Sequence, residues 1–334
     1  MTHDDPEHWV DDSGLTVLDR STLENWANCP AQAALIDSGK VVRESKPMVV
    51  GTEVHEAFSH CTREYLHDSQ EAYTGVIKDI LDQRLAASRP DVQPDVIESV
   101  RRSAWSWSKF LCEIHADNIL RYDGGRGELS GQLAWDVAWL GVRVTSEVDL
   151  LYSGPSPKVV HEVDYKSGHT ENSHHTVSKS FQFQLHAMLI LENYPEVDAV
   201  EISVWDTRRG SPTYPVLFPR ENLYQYQGRV LKAVEVWNKH HDMPLNKVPT
   251  WPMLEKCEVC PVARLCPRMA NVESDPVELL RQLIVVEAAR AQLRKSLIAS
   301  RKEAGQDIST PDGDVFGLDK PKEREATYQI YRAN

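Results

Sequence analysis

Along the first third of the chain, apolar positions recur at helical spacing. Val54, Phe58, Cys61 and Tyr65 mark the buried stripe of a helix that starts near Gly51-Thr52, with Thr52 as its cap. Before it, Ser21–Gly39 predicts a short helix, capped by Ser21 and ended by Gly39. Helical patterning runs on to about Tyr122, broken at Arg89-Pro90-Asp91 and Gln93-Pro94-Asp95 and closed by Gly124-Gly125. Trp105 and Trp107 stand two apart and cannot share a helix face, so at most one of them is deeply buried.

At Gln132 the period changes to two. Leu133, Trp135, Val137 and Trp139 alternate with other residues and predict a strand. Gly141 turns the chain into a second strand over Val142–Tyr152, and Gly154-Pro155-Ser156-Pro157 turns it into a third over Lys158–Lys166. A polar loop with His169, His174 and His175 leads to a helix around Ser178–Asn193. Strands follow over Val197–Thr207 and Tyr214–Phe218, joined by a turn that holds Arg208-Arg209. A helix over Glu221–His240, a Pro-rich linker from Pro244 to Pro252, a long helix over Asp275–Ala304 and a small hairpin around Pro311-Asp312-Gly313 complete the reading. Helices, then antiparallel strands, then helix and strand indicate an α/β fold: a mixed sheet flanked by helices.

Composition narrows the classes. A chain that is 41% hydrophobic and 26% charged is ordinary for a soluble globular protein. No apolar run reaches the roughly 20 residues of a membrane helix, and the acidic start MTHDDPEHWVDD is no signal or transit peptide. A cytoplasmic protein without a membrane partner is expected. The net charge of −13 argues against wrapping nucleic acid over the whole surface, but the part from residue 207 onward is mildly basic and leaves room for a local positive groove.

The chemistry is concentrated between Ser146 and Lys166. If the second and third strands form a hairpin, Asp149 and Asp164 are symmetric about its turn. Their Cβ atoms then lie roughly 4.5–5.5 Å apart. Lys166, two residues beyond Asp164, points to the same face. Opposed carboxylates repel unless a cation lies between them, and Mg²⁺ or Mn²⁺ suits hard oxygen donors. A nearby amine can orient water or offset charge on a phosphate, which is the chemistry of phosphodiester hydrolysis. An isolated Asp-x-Lys pair, by contrast, is ordinarily a surface ion pair worth little; the symmetric Asp149 is what raises its standing.

Six cysteines without a secretion signal do not make a disulfide scaffold. Cys257, Cys260 and Cys266 crowd into one segment, and a thiolate-held metal site needs a fourth ligand. Cys29 is the candidate, being followed by proline as Cys260 and Cys266 are. Cys61 and Cys112 sit within helical patterns and read as core residues. A structural zinc site stays open. Ligand softness and spacing favour iron–sulfur, and closing the long loop from Cys29 to Cys257 makes a structural role economical.

Taken together, these residues resemble a known family. Asp164-Tyr165-Lys166-Ser167-Gly168 resembles the D-Y-K-[ST]-G element of RecB-like PD-(D/E)xK nucleases, and Val148-Asp149-Leu150-Leu151 resembles the strand carrying their first acid, with Ser146 where Gly is usual. Gly51-Thr52-Glu53-Val54-His55 is similar to their G-[ST]-x-x-H helix. Gln182-Phe183-Gln184-Leu185-His186-Ala187 is similar to their Q-[LF]-x-x-Y-A helix, with His186 in the place of Tyr. The cysteine pattern resembles the [4Fe–4S] arrangement of CRISPR-associated RecB-like exonucleases and AddB-type nuclease domains.

The resemblance implies a PD-(D/E)xK restriction-endonuclease-like core over 21–270 with an iron–sulfur module from Cys29, Cys257, Cys260 and Cys266. An acidic leader over 1–20 precedes it, and a long helix and hairpin over 271–334 follow. It implies a DNA exonuclease acting at single-stranded ends with Mg²⁺ or Mn²⁺. His55, Asp149 and Asp164 would ligate the metal, Lys166 would position water or stabilise the phosphate, and Gln182 would support the lysine or the DNA. Partner proteins of recombination or CRISPR adaptation, a homo-oligomer and a phage-encoded setting all fit the resemblance. A non-catalytic DNA-end-binding component and a structural zinc protein are the rival readings.

Overall fold

The computed structural model describes residues 10–39, 46–67, 94–166, 174–206 and 210–251, together with Cys257, Cys260, Val262, Cys266 and the short stretches 308–309 and 315–316. The chain divides into two compact units, Met1–Arg268 and Met269–Asn334.

The first unit opens with β1 (Thr16–Asp19), which the hydrophobic pattern did not reveal, and α1 (Arg20–Asn28). The cap of α1 is Asp19 rather than Ser21: the Asp19 carboxylate accepts the Thr22 amide at 2.7 Å. The expected single helix over Ser21–Gly39 is two. Cys29 adopts extended backbone, φ −160° and ψ 111°, and Pro30 opens α2 (Pro30–Asp37) at its first position. Proline has no amide hydrogen and pushes the residue before it out of the helical region, which puts Cys29 at a corner.

Next come α3 (Lys46–His67) and α4 (Pro94–Ile114). Helix α3 begins a full turn earlier than Gly51-Thr52 suggested, so Thr52 lies inside it rather than capping it. The stretch up to Tyr122 is not helical throughout. Helix α4 ends at Ile114, His115 takes a left-handed φ of 64°, the Asn118 side-chain amide donates to the Ile114 carbonyl, and Ile119–Tyr122 is a strand, β2.

Strands β3 (Gln132–Val137) and β4 (Val142–Glu147) are an antiparallel pair turned at Gly141, whose φ of 67° glycine adopts without strain. Here the expected strand Val142–Tyr152 divides. The Val148 amide donates to the Gly131 carbonyl at 3.0 Å, and the chain re-enters as β5 (Leu150–Ser153) in a different sheet. A Cβ on Gly131 would come 2.5 Å from the Val148 carbonyl oxygen, so the crossing requires glycine. Strand β4 lies between β1 and β3 in a three-stranded sheet, while β5 lies between β2 and β6 (Val159–Lys166) in a six-stranded one.

The β5–β6 hairpin has the register read from the sequence: Leu150 faces Val163, Leu151 faces Glu162 and Tyr152 faces His161. From β6 the chain passes through α5 (His174–Lys179), which takes up the expected His174-His175 loop, and α6 (Phe181–Asn193) to β7 (Ala199–Asp206), parallel to β6. Strands β8 (Ser211–Pro212) and β9 (Val216–Pro219) both pair antiparallel with β7, and α7 (Leu223–His240) follows. In the second unit β10 (Ile308–Ser309) pairs antiparallel with β11 (Val315–Phe316), a hairpin where one was expected. The expected helix over 275–304, Arg208-Arg209 and His169 lie outside the described residues.

Alternation along β6 sorts the core onto two faces. Val163 and Tyr165 point to an aromatic cluster with Phe58 of α3, Trp107 of α4 and Trp205 of β7. Trp107 lies flat on Phe58, with ring centroids 5.5 Å apart, and edge-on to Tyr165 and Trp205. Of the two tryptophans of α4, Trp107 is buried and Trp105 is exposed. On the opposite face of β6, Val160, Glu162 and Asp164 look toward α6, a helix buried nearly all round and packed against β3, β4 and β7. No described helix is long and apolar enough to cross a membrane.

Candidate active site

At the C-terminal end of β6, where the two sheets meet, lies a cleft of about 440 Å³. It is walled by His55 of α3, Asp123 after β2, Thr145 to Glu147 of β4, Asp149, Asp164 and Lys166 of the hairpin, Gln182 of α6, and Asp19 to Ser21 at the start of α1. The structure thus gathers His55, Asp149, Asp164, Lys166 and Gln182, drawn from four separate stretches of sequence.

Asp149 sits one position outside the paired part of β5, at the place that continues the register opposite Asp164. Its carboxylate ends the ladder: Oδ2 accepts the Tyr165 amide at 2.6 Å, while Oδ1 lies 3.3 Å from His55 Nδ1. The other ring nitrogen of His55 donates to the Tyr165 carbonyl at 3.1 Å. Burial alone would lower the His55 pKa, but the Asp149 carboxylate outweighs it and raises it to about 9. Burial alone would likewise raise Asp149; His55 and then Lys166 hold it below the usual carboxylate range.

Asp164 is gripped from both sides. Lys166 Nζ stands 2.6 Å from Oδ2, and the Gln182 side-chain amide donates to Oδ1 at 2.6 Å. That the lysine and the acid share a face follows from their spacing of two on a strand. The carboxylates of Asp164 and Asp149 raise Lys166 against the opposing effect of burial, so its amine stays a cation. Gln184, the other glutamine of the same helical stretch, turns away: it donates to the Ser178 carbonyl and accepts from Arg229.

Three cleft acids were not picked out from the sequence: Asp19, the cap of α1, and two that the fold brings in, Glu147 and Asp123. Glu147 accepts the Gly124 amide at 3.3 Å, and Asp123 is raised to about 7 by burial and by the charges of Glu147 and Asp149. Neither belongs to a local motif, because β2 and β4 meet here only through the fold. His55, Asp123 and Asp149 each offer a donor atom, all within 4.8 Å of one another. One imidazole nitrogen and two carboxylate oxygens form a donor set suited to a divalent cation.

The sequence matches the PD-(D/E)XK nuclease superfamily over residues 20–267. The chain belongs to that superfamily. The core of a PD-(D/E)XK nuclease thus runs from the first residue of α1 past Cys266, and Asp123, Glu147, Asp149, Asp164, Lys166 and Gln182 of the cleft all lie inside it. Among solved structures the chain is similar to a candidate exonuclease from Eubacterium rectale, at 11% identity and a TM-score of 0.41, over 72% of this chain and 91% of that one. None of the curated proteins matches. As a PD-(D/E)XK nuclease, the protein is a hydrolytic enzyme whose substrate class is DNA.

Four of the six cysteines of this nuclease lie near enough to interact electrostatically. Trp26, Ala31 and Val248 pack in one small core, and the Ala31 amide donates to the Pro249 carbonyl, which draws the two ends of the unit together. Burial pushes the Cys260 thiol up, and Cys257, Cys29 and Cys266 are all near enough to push it further. Cys257 is exposed, the other three are half-buried, and none is in a disulfide. Cys61 lies in the aromatic core, its thiol raised to about 12 by burial, while Cys112 packs at the edge of that core.

Proposed function

We propose that this PD-(D/E)XK nuclease is a DNA exonuclease that acts at single-stranded ends with Mg²⁺ or Mn²⁺, of the RecB-like kind found in CRISPR adaptation and recombination. The observation that carries the reading is the meeting of Asp149, Asp164 and Lys166 with His55 and Gln182 in one cleft. His55, Asp123, Asp149 and Asp164 would hold the ion, which supplies Lewis-acid polarisation of the scissile phosphate. The side chains divide the remaining work. Gln182 and Lys166 fix both oxygens of Asp164, and the Tyr165 amide and His55 fix both oxygens of Asp149, so the carboxylates are oriented before any substrate arrives. As a cation at the floor of the cleft, Lys166 offsets negative charge that builds on the phosphate oxygens. Arg20, which also lines the cleft and pairs with Glu24, would be available to a phosphate of the DNA backbone.

Four neighbouring thiols, with soft donors and a C-x2-C-x5-C spacing, fit a [4Fe–4S] cluster at Cys29, Cys257, Cys260 and Cys266. Its role would be to hold the N-terminal helix pair to the C-terminal segment of the same unit.

The test is anaerobic purification followed by digestion of end-labelled single- and double-stranded DNA with Mn²⁺, wild type beside Lys166→Ala. The variant should lose about 10²–10³ in kcat, the usual cost of removing a charge-stabilising donor, with its circular dichroism and visible absorbance kept. Undiminished digestion of single-stranded ends by Lys166→Ala would count against the assignment.

A further inference from the structure

Two departures from the resembled pattern, Ser146 and His186, touch one another. Ser146 Oγ lies 2.9 Å from His186 Nε2, and His186 Nδ1 contacts the Glu162 carboxylate. All three are buried: Ser146 is 7% exposed, His186 2% and Glu162 0%. The second carboxylate oxygen of Glu162 has no hydrogen-bond partner among the described residues, so His186 is its support.

The placement of the three residues gives this contact its meaning. Ser146 belongs to β4 of the three-stranded sheet, Glu162 to β6 of the six-stranded sheet, and His186 to α6, which packs against both sheets. Residues two apart on a strand and four apart on a helix have nearly the same spacing, roughly 6–7 Å. Asp164 and Glu162 of β6 therefore pair rung by rung with Gln182 and His186 of α6. Of these two rungs, the one at His186 extends to the other sheet. Three residues past Ser146 the chain has crossed between the sheets at Val148-Asp149, and the cleft acids divide along the same line: Glu147 comes from β4, whereas Asp149 and Asp164 come from the β5–β6 hairpin. Apolar packing alone is non-directional and lets two layers slide by small amounts. A hydrogen-bonded bridge of fixed geometry does not. A buried Glu–His contact costs desolvation relative to an apolar pair, so its presence here calls for a role beyond stability.

We propose that His186 is a positioning residue: by bridging Ser146 and Glu162 it locks the two sheets in register and thereby sets the distance between Glu147 of β4 and the acids proposed to hold a divalent cation, Asp123, Asp149 and Asp164, which belong to the side of the other sheet. The proposal rests on the nuclease reading for its catalytic consequence, but its structural claim is read from metal affinity alone. Ser146→Ala removes a single hydroxyl and leaves the His186–Glu162 contact intact. It should weaken Mn²⁺ binding, measured by calorimetry on the full chain, several-fold, below the roughly 10-fold that loss of a hydrogen bond made directly to a ligand costs. At a fixed, subsaturating Mn²⁺ concentration kcat should fall by a similar factor while KM for DNA holds. His186→Gln, whose amide keeps a donor for Glu162, carries the same expectation. A fall in unfolding midpoint with Mn²⁺ affinity and kcat unchanged in both variants would make the bridge merely structural and overturn the proposal. A wild-type protein that binds Mn²⁺ but cleaves no DNA would sink the nuclease assignment instead, and the calorimetric comparison would still decide the role of His186.

Discussion

Asp123 is the acid whose replacement separates stability from function. It is half-buried beside Glu147 and Asp149, and its pKa is raised from 3.8 to about 7, first by burial and then by those two charges. The folded, metal-free protein therefore binds more protons than the unfolded chain between about pH 4 and pH 7. Its stability falls as pH rises through that window, and the whole penalty stands above it. Three pKa units at about 1.4 kcal/mol each would set an upper bound of about 4 kcal/mol, and partial exposure reduces that to about 1–2 kcal/mol. Asp123→Asn removes the charge and presents an amide to Glu147 where the acid form presents its proton. The backbone roles persist, since the amide of residue 123 donates to the Asp149 carbonyl and its own carbonyl accepts from Ser59. In urea unfolding with chelator at about pH 8 the variant should be more stable than wild type by about 1–2 kcal/mol. The gain should fade toward about pH 4, where wild-type Asp123 is neutral in both states. With saturating Mn²⁺ it should shrink or reverse, because the wild type then gains more from the ion. A variant less stable than wild type at about pH 8 in chelator would refute the claim that the empty cleft is strained by its own charges.

Trp107→Ala opens the aromatic cluster beneath Tyr165 and should cost about 3–5 kcal/mol in urea unfolding; a loss near that of a surface substitution would contradict the burial seen there. Cys29→Ser should abolish broad visible absorbance in anaerobically purified protein and lower the thermal midpoint, whereas Cys112→Ser should change neither. Retained colour in Cys29→Ser would remove Cys29 from the proposed ligand set. Cys61, raised to about 12, should resist alkylation in the folded protein at mildly alkaline pH and react once urea is added, as mass spectrometry would show; rapid labelling in the native state would mean that helix α3 opens readily.

The hairpin was legible because it is local. A strong turn at Gly154-Pro155 between two apolar strands leaves little freedom of register, so the opposition of residues 149 and 164 and the shared face of Asp164 and Lys166 follow from the spacing alone. That at most one of Trp105 and Trp107 is deeply buried was legible for the same reason; that it is Trp107 came from the structure. What escaped depends on distant partners. Nothing near Val148 announces that the strand changes sheets; the crossing is permitted by Gly131, which sits across the three-stranded sheet. Strand β1 is four residues long and finds its order by parallel pairing with β4. Asp123 and Glu147 enter the cleft on elements that the sequence does not join. The break at Cys29 could have been read, since a proline follows it, and the helical patterning to either side hid it. Ser146 and His186 looked like two isolated departures from the pattern and prove to be one contact.

The most direct trial of the account is digestion of end-labelled single-stranded DNA by the full chain in Mn²⁺, repeated with EDTA and with Asp149→Asn. The carboxamide oxygen of that variant can still accept the Tyr165 amide, so the fold should survive while the cleft loses one charge. The account predicts stepwise shortening by wild type, none in EDTA, and a variant folded but inactive. Full-rate cleavage by folded Asp149→Asn, or cleavage indifferent to EDTA, would contradict it.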